Sequence, residues 1–310
     1  MQSKKLLPII TAFAIVTGLL SGCSNDPNPG SGIAHPPSAS RQASNTISVA
    51  ATEPFSGLEK EYDARLGVYG IDTGTGKTVM HRADERFAYA STSKALLAGA
   101  ILAKTSTPEL DQIIRYTSGD LVSYSPVTEK HLDTGMPLRE VIAAALQYSD
   151  NTAANLMFKQ LGGPKGLDES LKTIGDTTTH VDRTEPELNE AVPGDIRDTT
   201  TPKALGTDLA AYTLGNALTS EYRALLTGWL KGNTTGGNLI RAGVPSGWTV
   251  GDKTGGGSFG TRNDIAVIWP TTGAPIVLSI MSSKSTKDAK YDDALIAAAT
   301  RAAIAELRPN

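Results

Sequence analysis

Residues 248–283 read WTVGDKTGGGSFGTRNDIAVIWPTTGAPIVLSIMSS and decide the fold class. They contain three runs of strand length, WTVGDKTG, TRNDIAVIWP and APIVLSIMSS, in which apolar residues alternate with small or polar ones or form a short block. Both patterns favour β-strands. Segments rich in Gly and Pro separate the runs, which is typical of turns. The sequence therefore predicts three consecutive strands near the end of the chain.

A second group of strands is predicted near the beginning. RLGVYGIDTGTGKTVMHR, residues 65–82, alternates apolar residues around the turn signal TGTGK and indicates two strands. Helical patterns fill the rest, at residues 53–64, 91–104, 137–147, 151–163, 166–174, 203–214, 220–231 and 288–307. Segregated strands and helices indicate the α+β class. We expect one antiparallel five-stranded sheet flanked by the terminal helices, an all-helical lobe, and an active site in the cleft between them.

The overall composition is that of a globular protein. The chain has 310 residues, of which 39% are hydrophobic, and a formal net charge of -3. A body of this size buries a large core. The slightly acidic balance argues against a nucleic-acid partner, because nucleic-acid-binding domains carry a basic patch or stripe. We expect a monomer.

The first 52 residues have a different character. A basic start, MQSKK, is followed by the apolar run LLPIITAFAIVTGLL and by LSGC, which resembles a bacterial lipoprotein processing site. We therefore expect a signal peptide at residues 1–23, a lipid anchor on Cys23 and a Ser/Pro/Gly-rich tether at residues 24–52. The alternative is an ordinary cleaved signal with a chance cysteine, and SVAA at residues 48–51 offers another cleavage point. The protein would be exported, and either lipid-anchored or secreted.

Four short motifs carry the chemical signal. They are STSK at residues 91–94, SDN at 149–151, RTEPELN at 183–189 and KTG at 253–255. Each of them alone is weak, because short motifs recur by chance. Together, in this order and on suitable predicted elements, they are specific: a serine–lysine pair, SDN and KTG form the signature of class A β-lactamases and penicillin-binding proteins.

The chain resembles a class A serine β-lactamase over residues 53–307, including SYSPV at residues 123–127. The resemblance implies the β-lactamase/DD-peptidase fold. It also implies hydrolysis of the β-lactam amide through a serine acyl-enzyme, which would give antibiotic resistance. The catalytic domain would comprise residues 53–310, with an α/β lobe at about 53–86 and 232–310 and a helical lobe at about 87–231.

The STSK motif explains how a serine could become a nucleophile. Ser91 and Lys94 are three residues apart, so a helix places both on one face and brings the amine to the hydroxyl. The positive end of the helix dipole favours the developing negative charge. The resemblance implies that Ser149 passes a proton to the lactam nitrogen, whereas Asp150 would be structural.

The loop motif would complete the cycle by releasing the acyl group. The resemblance implies that Glu185 acts as general base and, with Asn189, holds the hydrolytic water. Whether Glu185 or Lys94 takes the proton during acylation is left open by the sequence. The resemblance also implies a cis bond before Pro186, and a structural clasp between Arg183 and Asp198.

The resemblance assigns further residues to substrate binding. Asn151 would hold the side-chain amide of the substrate, Lys253 and Arg262 would bind its carboxylate, and the N–H groups of Ser91 and Gly256 would form the oxyanion hole. The full set of substrate-binding residues is Tyr124, Asn151, Asn189, Lys253, Thr254, Gly255, Gly256 and Arg262. No cofactor is expected, and no zinc-ligand spacing is present in the sequence.

Two alternatives stay open at this point. A peptidoglycan DD-peptidase would share the serine–lysine, SDN-like and KTG elements but would not need Glu185 and Pro186. A sensor lipoprotein that binds β-lactams would acylate and stop. GGSFG at residues 256–260 also matches Gly-x-Ser-x-Gly, but that motif requires a helix after it, and a strand is predicted here.

Overall fold

The computed structural model of the chain describes residues 53–309, and the predicted signal peptide and tether lie outside them. In this part of the chain the α-helices are α1 Glu53–Tyr62, α2 Ser93–Lys104, α3 Thr107–Leu110, α4 Leu138–Gln147, α5 Asn151–Leu161, α6 Pro164–Thr173, α7 Pro202–Thr213, α8 Ser220–Lys231, α9 Ile240–Gly243 and α10 Asp293–Leu307. The strands are β1 Arg65–Asp72, β2 Thr78–His81, β3 Phe87–Ala88, β4 Ile113–Ile114, β5 Met136–Pro137, β6 Thr199–Thr200, β7 Thr249–Gly256, β8 Arg262–Trp269 and β9 Ile276–Ser283.

The five long strands form one antiparallel sheet in the order β2-β1-β9-β8-β7. The predicted five-stranded sheet and the α+β class are therefore confirmed. The two strands from the beginning of the chain pair with the three from the end through β1 and β9, in a register that runs from Arg65 opposite Ser283 to Asp72 opposite Ile276. Strand β7 lies at an edge of the sheet. The functional motif KTG is therefore on a strand with one free side.

Helices cover both faces of the sheet, and period-two alternation divides the strand residues between two apolar clusters. In β8, Ile265 and Val267 belong to the cluster that includes α2, whereas Ala266 and Ile268 belong to the cluster that includes α1 and α10. Because both faces are covered, β8 reads as a nearly continuous apolar run. The sheet thus provides a rigid base for residues on β7 and β8.

Helix α2 runs through the centre of the helical part of the fold. Ten of its twelve residues are buried, which explains why its sequence is apolar on nearly all sides. A Cβ atom at Gly99 would lie only 2.4 Å from the Tyr212 ring of α7, so close packing of these two helices requires glycine. The first turn of α2 is thereby fixed in position by its buried remainder.

The structure adds detail that the sequence patterns do not predict. The lobe expected to be all-helical also contains two small antiparallel pairs, β3–β6 and β4–β5. The predicted last helix, 288–307, begins instead at Asp293. The preceding segment is drawn toward the turn between β7 and β8, where the Lys287 carbonyl accepts a hydrogen bond from the Phe259 N–H (2.9 Å).

Residues 53–309 lack two kinds of feature. No helix among them is both long and apolar enough to cross a bilayer. The same residues hold no group of three or more His, Cys, Asp and Glu side chains arranged to bind a metal ion.

Candidate active site

Ser91 lies in a 3₁₀ turn, Ala90–Thr92, that leads directly into α2. The α-helix thus begins two residues after the position predicted from the sequence. Lys94 occupies the first turn of α2, and both side chains are almost fully buried. Ala90 has a φ of +49°, a conformation that costs free energy in a residue with a Cβ atom. The backbone is therefore held in an unfavourable conformation next to the hydroxyl.

The Lys94 ammonium connects three parts of the chain. Its Nζ atom donates to Ser91 Oγ (2.9 Å), to the Ser149 carbonyl (2.7 Å) and to Asn151 Oδ1 (2.6 Å). It also pairs with Glu185 Oε1 at 2.9 Å. The Ser91 hydroxyl in turn donates to Glu185 Oε1 (3.1 Å). Residues 91, 94, 149, 151 and 185, far apart in the sequence, therefore meet around one amine.

The SDN segment joins α4 to α5, and its central residue is structural. Asp150 caps α5 by accepting from the Ala153 N–H (2.8 Å), and it also accepts from the N–H groups of Val127 (3.0 Å) and Thr128 (2.9 Å). These bonds fix the segment, and they leave Ser149 directed toward the two buried lysines. Ser149 has a φ of +58°.

The KTG segment ends β7 beside the serine. Lys253 Nζ donates to Ser149 Oγ (3.0 Å) and to the Thr254 carbonyl (2.8 Å). A Cβ atom at Gly255 would lie 2.9 Å from the Tyr89 carbonyl, so only glycine lets the strand approach the turn that carries Ser91. Because β7 is an edge strand, backbone groups on its free side have no ladder partner. Gly256 is the last residue of this edge.

Two further predicted substrate residues lie beside the KTG and SDN segments. Arg262 begins β8 opposite Gly256. Its Nε atom donates to Asp293 Oδ1 (2.6 Å), and its guanidinium lies 4.5 Å from the centre of the Tyr291 ring. Tyr124 is 61% exposed and has a φ of +64°, and its carbonyl accepts a hydrogen bond from the Asn151 N–H (3.0 Å).

The loop that carries Glu185 is fixed by side-chain amides. Asn155 on α5 forms two bonds with the backbone of Glu185, accepting from its N–H (2.9 Å) and donating to its carbonyl (2.8 Å). Asn189 Nδ2 donates to Glu185 Oε2 and to the Pro186 carbonyl (3.1 Å). The peptide bond between Glu185 and Pro186 is cis. The carboxylate is thereby held against Ser91.

Arg183 and Asp198 come together at the base of the loop. Arg183 Nε lies 2.5 Å from Asp198 Oδ2, and Asp198 Oδ1 also accepts from the Arg183 N–H (2.9 Å). The same oxygen accepts from the Tyr89 hydroxyl (3.0 Å). Because Tyr89 is two residues before Ser91, the base of the loop and the serine turn are tied to one buried carboxylate.

Comparisons with known proteins agree on one family. A model described as the β-lactamase enzyme family matches residues 50–307. The β-lactamase of Bacillus amyloliquefaciens is 55% identical over 296 residues, which is 96% of this chain and 97% of that one. A crystal structure of a class A β-lactamase from Clostridium kluyveri is 50% identical, with a TM-score of 0.81 over 82% of this chain and 97% of that one. A halotolerant bacterial β-lactamase structure is 55% identical, with a TM-score of 0.81 over 82% of this chain and 98% of that one.

The chain belongs to the β-lactamase enzyme family. It is a class A serine β-lactamase, as the sequence resemblance implies. It hydrolyses the β-lactam amide, and this reaction gives antibiotic resistance.

Burial lowers the pKa of both lysines in this β-lactamase. Desolvation is the main cause at Lys94, where the adjacent Glu185 carboxylate acts in the opposite direction. At Lys253, desolvation and the nearby charge of Lys94 lower the pKa to about 7. Ser149 lies within hydrogen-bond distance of Lys253 and 3.4 Å from Lys94 Nζ. The site therefore holds two buried amines with lowered pKa values, both close to the Ser149 hydroxyl.

Four residues that fix the β-lactamase site were not predicted from the sequence. They are Tyr89, Asn155, Thr235 and Asn263. Asn263 donates to the carbonyls of Ala88 (2.8 Å) and Tyr89 (3.1 Å), so β8 is hydrogen-bonded to the segment that leads into the serine turn. Thr235 Oγ1 lies 2.5 Å from Thr254 Oγ1. None of these residues belongs to a recognisable motif, and a buried polar residue in an apolar pattern, such as Asn263 at the start of NDIAVIW, was the only available signal.

Proposed function

We propose that Ser91 is the nucleophile and that Lys94 and Glu185 activate it. The observation that carries this proposal is that Ser91 Oγ hydrogen-bonds to both Lys94 Nζ (2.9 Å) and Glu185 Oε1 (3.1 Å). A serine hydroxyl is a weak nucleophile until a neighbouring base accepts its proton. Two candidate bases are in contact with it here.

During acylation, Ser91 Oγ adds to the β-lactam carbonyl carbon and the C–N bond of the ring breaks. The leaving nitrogen takes a proton from the Ser149 hydroxyl, which is replaced through the lysines beside it. Negative charge on the former carbonyl oxygen is stabilised by the N–H groups of Ser91 and Gly256. A donor of this kind contributes a few kcal/mol in other acyl-transfer enzymes. The positions of Ser149 and of the edge strand β7 support these roles.

During deacylation, a water held between Glu185 and Asn189 attacks the ester carbon, and Glu185 takes its proton. The bond from this carbon to Ser91 Oγ then breaks, and Glu185 returns the proton to the serine oxygen, which lies 3.1 Å from it. Among residues 53–309, Asn189 Oδ1 is buried and has no hydrogen-bond partner. A buried acceptor without a partner is costly. A water that donates to this oxygen and to Glu185 would satisfy it. This observation supports a role for Asn189 in binding the water.

The substrate is oriented by the rim of the cleft. Lys253, Thr254 and Arg262 bind its carboxylate, and the guanidinium of Arg262 is held in place by Asp293. Asn151 binds the side-chain amide of the substrate. Its Oδ1 atom already accepts a hydrogen bond from Lys94 Nζ, and it would accept a second one from the substrate N–H. Tyr124 forms an aromatic wall at the entrance, and Gly255 and Gly256 present the strand edge. The Arg183–Asp198 pair fixes the loop and does not touch the substrate.

Mass spectrometry of the Glu185→Ala variant tests the division of roles. With benzylpenicillin, the variant is expected to accumulate an acyl-enzyme with the mass of the intact drug added, because the water is no longer activated. Ser91→Ala should show no added mass. Steady turnover of the Glu185→Ala variant at the unmodified enzyme's rate would overturn the role of Glu185 in deacylation.

The same variant decides which group takes the proton from Ser91 in acylation. If Lys94 is the base, the rate at which the acyl-enzyme forms in Glu185→Ala stays within about tenfold of the original rate. If Glu185 is the base, this rate falls by about 10²–10⁴-fold, the usual contribution of a general base.

The peptidase and the sensor alternatives have no observation in their favour. A carboxylate placed beside the serine, with a partner amide for water, is what rapid release of the acyl group requires, and neither alternative needs it. Many nitrocefin turnovers for each enzyme molecule are expected. A single stoichiometric burst would favour the sensor.

The protein is also proposed to be exported and anchored through a lipid on Cys23. The basic start, the apolar run and LSGC support this location. Labelled palmitate should be incorporated into the full chain and lost in Cys23→Ser. Release of unlabelled enzyme into the medium would favour the secreted form.

A further inference from the structure

We propose that a cavity lying behind the loop of Arg183 to Asp198 is a second ligand site, which binds a small amphipathic anion with an apolar body and one carboxylate or sulfonate. The cavity has a volume of about 910 Å³. This is within the range of sites for small organic molecules, roughly 300–1,000 Å³. None of Ser91, Lys94, Ser149 and Glu185 lines it. The cavity is therefore distinct from the catalytic cleft.

Apolar side chains supply much of the cavity wall. Val192 and Ile196 on the loop are 45% and 56% exposed, although residues of this type usually avoid water. Phe87 and Phe259 line the cavity from two other segments. Apolar surface from separate parts of the chain thus converges on one space, as it does in sites for organic ligands.

The charges around the cavity indicate the sign of the ligand. Four of the cations that line it, Arg65, Arg82, Arg197 and Lys284, each pair with a carboxylate. Arg86 differs. It donates only to the Thr199 hydroxyl (3.1 Å) and the Thr178 carbonyl (2.7 Å), and no carboxylate of the described chain lies within ion-pair distance of it.

An arginine with only neutral partners retains its full charge and has unused N–H donors. A single carboxylate or sulfonate would supply the missing counter-charge through a charge-assisted hydrogen bond. The lining carries five cations against four carboxylates, of which Asp63 has no cation partner in the described chain. The wall therefore has an excess of positive charge, and Arg86 is the cation left to bind an anion. A dianion would leave one charge without a partner.

The position of the cavity would connect its occupant to the catalytic loop. Its lining includes Thr261 and Phe259 of the turn between β7 and β8. In that turn the Ser258 N–H donates to the Asn189 carbonyl (3.0 Å), and a Cβ atom at Gly257 would lie 2.7 Å from the same oxygen. One residue thus separates the cavity wall from the loop segment proposed to bind water.

A matched pair of fluorescent probes tests the site in the full chain. 8-Anilinonaphthalene-1-sulfonate carries the anion, and N-phenyl-1-naphthylamine is the same aromatic body without it. The sulfonate is expected to bind saturably, with one site for each chain by equilibrium dialysis, and about tenfold more tightly than the neutral probe. Absence of saturable sulfonate binding would overturn the proposal.

Two substitutions locate the probe. Arg86→Gln should weaken the sulfonate by about tenfold and remove the preference over the neutral probe, because the counter-charge is lost. Ile196→Glu should weaken the binding of both probes, and it should weaken binding of the sulfonate more, because the new carboxylate repels it. Since Ile196 is on the surface, this variant is expected to fold even if Arg86→Gln does not. Matched controls are Arg115→Gln, another arginine without a carboxylate partner, and Ile113→Glu, another exposed isoleucine.

Acylation of the serine separates the cavity from the cleft. The Glu185→Ala variant is titrated with the sulfonate before and after treatment with benzylpenicillin, and equal affinities are expected. Loss of binding on acylation would place the probe in the cleft and overturn the proposal. Unchanged sulfonate affinity in both Arg86→Gln and Ile196→Glu would also overturn the proposal.

Discussion

Two pairs of buried ionisable side chains respond to burial in different ways. Lys94 and Glu185 meet at 2.9 Å in the active site, with both side chains at most 1% exposed. Asp176, after α6, and Asp208, in α7, are two neighbouring carboxyl groups elsewhere in the helical lobe, and the charge of Asp176 acts on Asp208. At Lys94 the neighbouring carboxylate opposes the effect of burial on the pKa. At Asp208 burial and the neighbouring charge act together and raise the pKa to about 9.

The difference shows that the sign of the neighbour decides what burial does. An opposite charge beside Lys94 offsets part of the cost of burying its ammonium group, whereas a like charge beside Asp208 adds to the cost of burial and favours the protonated acid. The second pair lies outside the active site and is an internal reference for the first.

The largest expected effect is on the catalytic pair. Lys94→Met removes the bond to Ser91 and the charge that balances Glu185. We expect the rate of acylation by nitrocefin to fall by about 10²–10⁴-fold, measured by stopped-flow absorbance. Lys159→Met, which removes an exposed lysine, is the control. Acylation within tenfold of the original rate would show that Lys94 is not needed in the reaction.

The next effect concerns the buried carboxylate at the base of the loop. Asp198→Ala removes the acceptor of Arg183 Nε and of the Tyr89 hydroxyl. Arg183 then keeps only its pair with the half-exposed Glu190. Breaking a buried ion pair costs about 3–5 kcal/mol, which corresponds to a fall in Tm of roughly 6–20 °C for a domain of this size. Thermal unfolding monitored by circular dichroism measures it. Asp195→Ala, which breaks an exposed pair with Arg197, should lower Tm by no more than about 4 °C.

A third prediction concerns the pH dependence of Lys253. With its pKa lowered to about 7 by burial and by Lys94, Lys253 is protonated below that pH and loses its attraction for the substrate carboxylate above it. We expect kcat/KM for benzylpenicillin, which reports the free enzyme, to fall about tenfold between pH 7 and 9. In Lys253→Arg the fall should be absent, because arginine stays protonated. An identical fall in both proteins would assign it to another group.

The smallest effect is on the carboxyl pair. The folded-state pKa of Asp208, about 9, is above its unfolded value, so the folded chain retains a proton that the unfolded chain releases between about pH 4 and 9. The stability that this proton contributes is therefore lost as pH rises through that interval. Asp208→Asn keeps a hydrogen donor without titrating.

The measurement is the difference in Tm between Asp208→Asn and the original protein. This difference should shift in favour of the variant by roughly 4–8 °C, about 2 kcal/mol, from pH 7 to pH 9. Asp84→Asn, at an exposed acid, should show no such trend. A constant difference for Asp208→Asn would mean that the pair holds no shared proton.

The fold was largely predictable because its elements carry strong local signals. Strands β7, β8 and β9 have period-two patterns broken by glycine and proline, and α5 is bounded by the Asp150 cap and by Gly162 in the left-handed conformation. The start of α10 was not predictable in this way. Residues 288–292 resemble a helix locally, but a bond from Phe259, about thirty residues earlier, holds the segment outside it.

The site was predictable as far as its residues form motifs. The roles of the side chains in STSK, SDN, KTG and RTEPELN remain proposals, although the structure brings these motifs together. The supporting residues could not be predicted, because Tyr89, Asn155 and Asn263 act only through contacts with distant segments. Asp176 and Asp208 are 32 residues apart by their numbering, and neither lies in a recognisable pattern.

The left-handed residues around the site have a consequence for the whole cell. Of eight non-glycine residues with positive φ in the described chain, five lie in the site or its loop: Ala90, Tyr124, Ser149, Ala191 and Asp198. Each such conformation costs of order 1–3 kcal/mol and persists only because the surrounding structure imposes it. A cavity-forming change at Val267, in the interior of β8, would thus reduce the quantity of folded enzyme rather than its intrinsic rate. Drug susceptibility of the bacterium would then report on core packing as directly as on catalysis.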